Sequence, residues 1–497
     1  MINERNKRIC QNKKQQGISF DHTQYSGFFL IREGDILWRS LTKRKPMAFF
    51  RAMFQWTPES RKILKTWLPL AASWLLMGVE MPAITAVMAR LANPEISLAA
   101  HGGVVFPIAL IVEAPIIMLL AASTALSKDW AAYQKLYRFM MITSLILTVI
   151  HLAVAFTPLY DVVVRQILGV PEEIIEPGRI GLQVMIPWTW AIAYRRFQQG
   201  VMIRFGHSDA VGIGTMVRLL AGALVLTFGM VVQTIPGYII GAATQAVGTV
   251  CEAIYAGIRV RPVLRNQLKP APTAEPLTWR AFYAFYIPLA LTSFLSLVWQ
   301  PIGSAALSRM PRALESLAVW SVVGGLVFML RSIGLAFNEV VVAMMDEKGS
   351  SPHLRRFAGG LFTVTTLAHF LVAVTPLSFI WFTQVSGLPP QLVEMARIGF
   401  WLALPMPGLS VLQSWFQGSV LYGRLTRGIP ESMAIFLVTV LVFLGGGVWL
   451  GSFTGLYVGL VGFSMANFTQ TLWLWVRSRK VMKIVNLRDR DTGWEVI

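Results

Sequence analysis

Three ionisable residues stand in the middle of long apolar runs of this chain: Glu80, Glu113 and Arg331. A charge at the centre of a bilayer is costly unless it pairs or meets water, so each is a candidate for binding or ion coupling. Glu80 lies between Gly78 and Pro82, where proline removes a backbone hydrogen bond and can expose carbonyl groups. Such a site suits a proton or a sodium ion; the alternative is a Glu that only hydrogen-bonds the opened helix. Glu113 and Arg331 fall at nearly one depth of corresponding helices. They read either as a cleft-facing pair that exchanges partners with substrate or as a salt bridge fixing two lobes. Glu339 beside Asn338, and Glu252, are weaker candidates because residues near helix ends can snorkel to water. Arg195, Arg196 and Arg218 sit in the cytoplasmic thirds of their runs, where they would meet an anionic head group or phosphate, or anchor the interface. His151 and His369 also correspond, as a proton relay or as two satisfied interior histidines.

Other chemistry is missing where its motifs would be informative. No Gly-rich loop ends in Gly-Lys-Ser/Thr and no His-Glu-x-x-His occurs. The six histidines never fall three or four apart, and Cys10 and Cys251 have no partner motif. No cofactor and no metal site is expected, and the reading is not that of an enzyme, although an integral membrane enzyme using intramembrane carboxylates stays as an alternative.

The elements that must position these groups are membrane helices. Of 497 residues 55% are hydrophobic and only 14% charged, too little polar surface to cover a soluble globule. The expected fold is an all-α polytopic membrane protein with about twelve transmembrane helices, at 63–91, 97–126, 133–158, 178–204, 211–233, 236–260, 280–309, 315–345, 354–381, 393–423, 428–450 and 454–477. Residues 1–62 form a basic tail without the apolar segment of a signal peptide, and Met47 and Met53 are alternative start sites within it. A Pro- and Arg-rich linker at 261–279 divides the helices six and six, and 478–497 is a second tail. The net charge of +19 is spent on the positive-inside rule rather than on nucleic acid. With both termini cytoplasmic, Lys128, Arg204, the linker, Lys348, Arg355 and Arg427 all face the cytoplasm, which fits a plasma (inner) membrane protein.

The two halves are copies. Pro69-Leu70-Ala71, Pro82 and Arg90 match Pro288-Leu289-Ala290, Pro301 and Arg309 at an offset of 219. Beyond a one-residue slip the offset is 218, through Gly169 with Gly387, Pro187 with Pro405, Gln199-Gly200 with Gln417-Gly418, and Gly237 and Gly241 with Gly455 and Gly459. Six helices per copy put both copies in the membrane the same way up, so these are two parallel six-helix repeats related by an axis along the membrane normal. Two such lobes enclose a cleft that rocking opens to either side, which is the architecture of transport by alternating access. Pro69, Pro82, Pro288 and Pro301 are expected to shape bent gating helices, and the glycine pairs to let helices pack closely.

Phe197-Gln198-Gln199-Gly200 with Arg204, Gly206 and Asp209, and its copy Trp415-Phe416-Gln417-Gly418 with Gly423 and Arg427, resemble a pattern of the MATE multidrug and toxin extrusion proteins of the MOP exporter and flippase superfamily. Gly78, Glu80, Gln300-Pro301-Ile302 and Ser308-Arg309 are similar to the progressive-ankylosis branch of that superfamily. The first helix has no Asp, where proton- or sodium-coupled drug exporters carry one. The resemblance implies export of an organic ion or amphipathic solute, coupled to H+ or Na+. A lipid-linked precursor flippase or an organic or phosphate anion exporter is the second possibility it carries. The partners so implied are a small-molecule or lipid-like substrate and the bilayer, with no nucleic acid.

Overall fold

The computed structural model describes residues 58–272, 276–423 and 427–490. The basic segment up to residue 57, with Cys10, Met47 and Met53, and the last residues after 490 lie outside the described residues. Among the described residues every regular element is helical. Twelve successive rods follow the sequence reading closely. The first six are α1 (Pro58–Met88), α2 (94–126, interrupted at 114–118), α3 (Trp130–Phe156), α4 (175–204, interrupted at Met185), α5 (Asp209–Val232) and α6 (Gly237–Leu268). The second six are α7 (Trp279–Leu307), α8 (Ala313–Met344), α9 (Ser350–Val374), α10 (Pro390–Tyr422, interrupted at 403–404), α11 (Gly428–Leu450) and α12 (Gly455–Arg490). Ten of these are long and apolar enough to cross a membrane; α4 and α12 fall short of that hydropathy because of their polar residues.

Besides α1 beginning at Pro58 rather than 63 and α9 ending at Val374 rather than 381, two boundaries differ more deeply from the sequence reading. The segment after residue 477, expected as a tail, continues α12 as far as Arg490. It does so because Val481 and Val485 bury against Ile63, Phe337 and Met344, while Asp489 accepts hydrogen bonds from the Gly349 and Ser351 amides at the start of α9. The start of the 261–279 linker is likewise helical, with α6 running on to Leu268.

The duplication is physical as well as sequential. Gly237 and Gly241 of α6 receive Met88 of α1, and Gly455 and Gly459 of α12 receive Leu307 of α7, at the equivalent place. His151 of α3 bonds the Leu182 carbonyl at 3.0 Å, and His369 of α9 bonds the Phe400 carbonyl at 2.9 Å, each just before the interruption of α4 or α10. Both histidines are fully buried within their own repeat, so they pin helix breaks and form no relay with each other.

The first helix of each repeat also reaches across to the other. In α1, Trp67 donates to the Ile333 carbonyl of α8 at 3.2 Å and packs on Phe357. In α7, Tyr286 donates to the Pro115 carbonyl of α2 and packs on Phe139. At the opposite end of the bundle Arg90 donates to the Gln384 carbonyl beside Gly387, while Arg309 donates to the carbonyls of Gln166, Ile167 and Leu168 beside Gly169. Both glycines have left-handed φ, +64° and +67°, and end a wide helical turn whose free carbonyls the guanidinium satisfies. These two latches clamp the repeats together at the end away from the first turn of α1 and the last turns of α12.

Candidate functional site: a buried charge network in the first repeat

On α1, Gly78 and Pro82 are four residues apart and share one face, with Glu80 on the other. Gly78 abuts Met329 and Pro82 abuts Gly325, both on α8, so Glu80 is turned back toward the first repeat. There its carboxylate meets Arg218 of α5 at 3.1 Å, with only 17% and 12% of the two side chains exposed. Arg218 also faces Glu252 of α6 at 3.6 Å. Glu252 is completely buried and takes Arg195 of α4 at 3.1 Å and the Gln199 amide at 2.8 Å on its other oxygen. One network therefore ties α1 to α5, α5 to α6 and α6 to α4. Glu113 of α2 is buried nearby, within the electrostatic reach of Arg195, Arg196 and Arg218. With Glu113 and Arg196 counted, the cluster holds three carboxylates and three guanidiniums and is formally neutral, although only Glu80, Glu252, Arg195 and Arg218 are joined by ion pairs.

This arrangement corrects three expectations. Glu252 does not snorkel to water: α6 continues past it for four more turns, which leaves it interior. Arg195 and Arg218 are engaged by carboxylates inside the protein rather than offered to an interfacial anion; Arg196 is half-buried with its Nε unpartnered. Glu113 and Arg331 do not pair here. Glu113 belongs to the first-repeat network, while Arg331 turns into the second repeat, donating to Asn467 Oδ1 of α12 at 2.8 Å with its guanidinium 5.3 Å from the Phe463 ring. Equal depth placed them at one height but said nothing of the direction in which each helix turns its side chain.

The remaining candidates are spread out. Glu339 is exposed and Asn338 half-buried near the end of α8, away from the network. Gly200 abuts Ser123 and the Leu120 carbonyl of α2, and Gly418 abuts Val341 and the Asn338 carbonyl of α8, so both are close-packing positions. Gln417 is half-buried beside Gly418, whereas its counterpart Gln199 is in the network. Pro69 and Pro82 lie inside α1 and Pro288 inside α7; Pro301 follows the break of α7 at Val298.

A bundle of two six-helix repeats has counterparts among solved structures. An inward-facing multidrug resistance MATE family transporter of the MOP superfamily superposes with a TM-score of 0.62 at 14% identity, over 84% of this chain and 98% of that one. The fold is that of the MATE transporters. The Vibrio cholerae MATE transporter VcmN, as a mutant, gives 0.57 at 17% identity over 87% of this chain and all of that one. A MOP superfamily transporter from Pyrococcus furiosus gives 0.54 at 15% identity, over 85% and 97%. No protein-family model and no curated relative matches the sequence. The MATE fold and its apolar helices make this an integral, multi-pass membrane protein.

Proposed function

We propose that this protein is a secondary transporter that works by alternating access and exports an organic ion or amphipathic solute, with the export coupled to an ion gradient. The observation that carries the reading is the Glu80–Arg218 bridge in a MATE fold. It ties the middle of α1 to its own repeat by charge, while Trp67 and Gly78 of the same helix hold to the other. Protonation of Glu80, or a sodium ion taking its carboxylate, would remove the charge that holds Arg218. Helix α1 would then be free to follow the second repeat as the lobes rock, so that ion occupancy and lobe position are linked. Arg218 would not be stranded by this, because Glu252 stands 3.6 Å away on its other side. The solved relatives of this fold include inward- and outward-facing forms and complexes with small molecules, which supports movement of a small solute rather than a chemical reaction.

In this reading both termini, the 261–279 linker and the loop after α8 are cytoplasmic, the latches at Arg90 and Arg309 close the outer side, and the coupling ion is H+ or Na+. The test is gradient-driven uptake into inverted vesicles. Glu80→Gln should abolish uptake while leaving protein abundance near that of the wild type; wild-type coupling in that variant would make Glu80 structural.

A further inference from the structure

Within the second repeat the chemistry is of another kind. The positions equivalent to Glu80 and Arg218 are Trp299 and Phe436, whose rings meet edge to face at 6.3 Å. Phe463 and Trp320 complete the wall, with ring centroids 4.5 Å and 6.3 Å from Trp299. Trp299, Trp320 and Phe463 line a cavity of about 10 Å³, roughly the room of one water molecule, together with Gly303 and Gly459. An added Cβ at Gly303 would meet nothing within 4 Å, so the space can widen on that side without a backbone clash. At the edge of this wall stands Arg331, its guanidinium against Phe463.

Among the described residues, no carboxylate forms an ion pair with Arg331. Its side-chain hydrogen bond is to a neutral amide, its Nε is buried without a partner, and the residue is only partly exposed. By contrast Arg195 and Arg218 are both neutralised by acids. A guanidinium held in the interior of a membrane bundle without a counter-charge attracts an anion, and its planar fork fits a carboxylate or phosphate. The aromatic wall beside it suits a flat or apolar body.

We propose that Arg331, with Trp299, Trp320, Phe436 and Phe463, forms a binding site for an amphipathic organic anion, Arg331 holding the carboxylate or phosphate and the rings holding the body. This names the cargo class for the transport reading and rests on it. Asn467 is a positioning residue, since it fixes the guanidinium through its Oδ1.

The test is equilibrium binding of radiolabelled 1-naphthoate to the full chain in neutral detergent, without vesicle or gradient. Naphthoate should bind the wild type, Arg331→Gln should weaken it at least tenfold, Trp299→Ala several-fold, and Asn467→Ala about threefold. Tetraphenylphosphonium should not displace it, and inorganic phosphate should compete far more weakly. Short-chain phosphatidic acid in a parallel arm separates the two sources of such an anion: displacement by micromolar lipid assigns the site to a lipid, none to a soluble acid. Absence of binding by both probes, equal binding to Arg331→Gln, or displacement by the cation would overturn the proposal. If Arg331→Gln does not fold, the Trp299→Ala and Asn467→Ala ratios decide it, unchanged affinity in both being the negative result. Failure here leaves the Glu80 vesicle test untouched, whereas binding without uptake would reject transport and leave the site.

Discussion

Glu80 and Arg218 make an ion pair in the first repeat; Trp299 and Phe436, at the same two positions of the second, make an aromatic one. The substitution extends outward, since Glu252 and Arg195 are matched by Gln470 and Gln413. Yet the scaffold around them is retained, as the paired glycines, the histidines at the helix breaks and the two arginine latches show. Duplication has thus kept backbone geometry and let side-chain chemistry diverge. One lobe has become a titratable, self-neutralised network and the other an aromatic wall with a single cation. Under the two proposals above, this asymmetry would divide the labour, with the coupling ion handled in the first repeat and the solute in the second.

The largest effect expected from breaking this asymmetry is at Glu252. Removing a buried carboxylate that serves Arg195, Arg218 and Gln199 leaves buried positive charge uncompensated, which costs about 3–5 kcal/mol. Glu252→Ala should therefore lower the melting midpoint of the detergent-solubilised protein severely. Gln470→Ala, its equivalent, removes only a neutral amide that contacts Met433, for about 1 kcal/mol. Equal losses would mean that the first-repeat network is not electrostatically distinct.

Next in size is the central pair. Arg218→Met alone strands Glu80, at a cost of about 3 kcal/mol if the site stays dry. Combining it with Glu80→Leu makes these two positions apolar as they are in the second repeat, and replacing a buried pair by apolar groups is often neutral or stabilising. The double variant should be more stable than the single one and still show no gradient-driven uptake. A double-mutant cycle without coupling energy would show that the two residues act independently.

How much of this could be read from sequence depends on which coordinate was needed. The repeats, the twelve helices and the packing role of Gly237, Gly241, Gly455 and Gly459 follow from order along the chain, and they emerged as expected. Depth was legible too, which is why Glu80, Glu113 and Arg331 stood out. What failed was rotation about the helix axis. Arg195 and Arg218 were placed at an interface because depth alone cannot tell a lipid-facing side chain from one turned inward. Glu252 lies near the end of the 236–260 apolar run, and that run does not show that the helix continues to Leu268. The signal that locates the network was present in the comparison of repeats: Glu80, Arg195, Arg218 and Glu252 are all charged in one copy and uncharged in the other, as residues that depend on one another would be.

The latches sharpen the comparison from the conserved side. Arg309 donates to three carbonyls of the facing turn and Arg90 to one, in addition to one carbonyl on its own helix in each case. Hydrogen bonds from a charged donor contribute about 1.5–3 kcal/mol, and these are partly exposed, so the lower end applies. Arg309→Ala should open that end of the bundle more than Arg90→Ala, and the double variant most, read as faster maleimide labelling of a cysteine placed at Ser304, which now bonds the Gly103 carbonyl across the repeats. Unchanged labelling in all three would show that the latches do not hold the end closed.

The smallest expected difference lies at the two histidines, where the repeats agree in one hydrogen bond and differ in the other. His151 Nε2 and His369 Nε2 each face a backbone carbonyl, which can only accept, so Nε2 carries the proton in both. Nδ1 is then an acceptor. In the first repeat Thr189 supplies its hydroxyl at 2.8 Å, whereas the equivalent position in the second is Pro407 and His369 Nδ1 has no partner. Thr189→Val brings the first repeat to the condition of the second while keeping nearly the same volume. It deletes one neutral hydrogen bond at a fully buried site, a loss of about 0.5–1.5 kcal/mol. The predicted result is a small fall in melting midpoint with transport intact, since the histidine pins the break in α4 through its other nitrogen. Loss of uptake in a variant that melts normally would mean instead that His151 handles protons, and the coupling role would then have to be shared between α1 and α3.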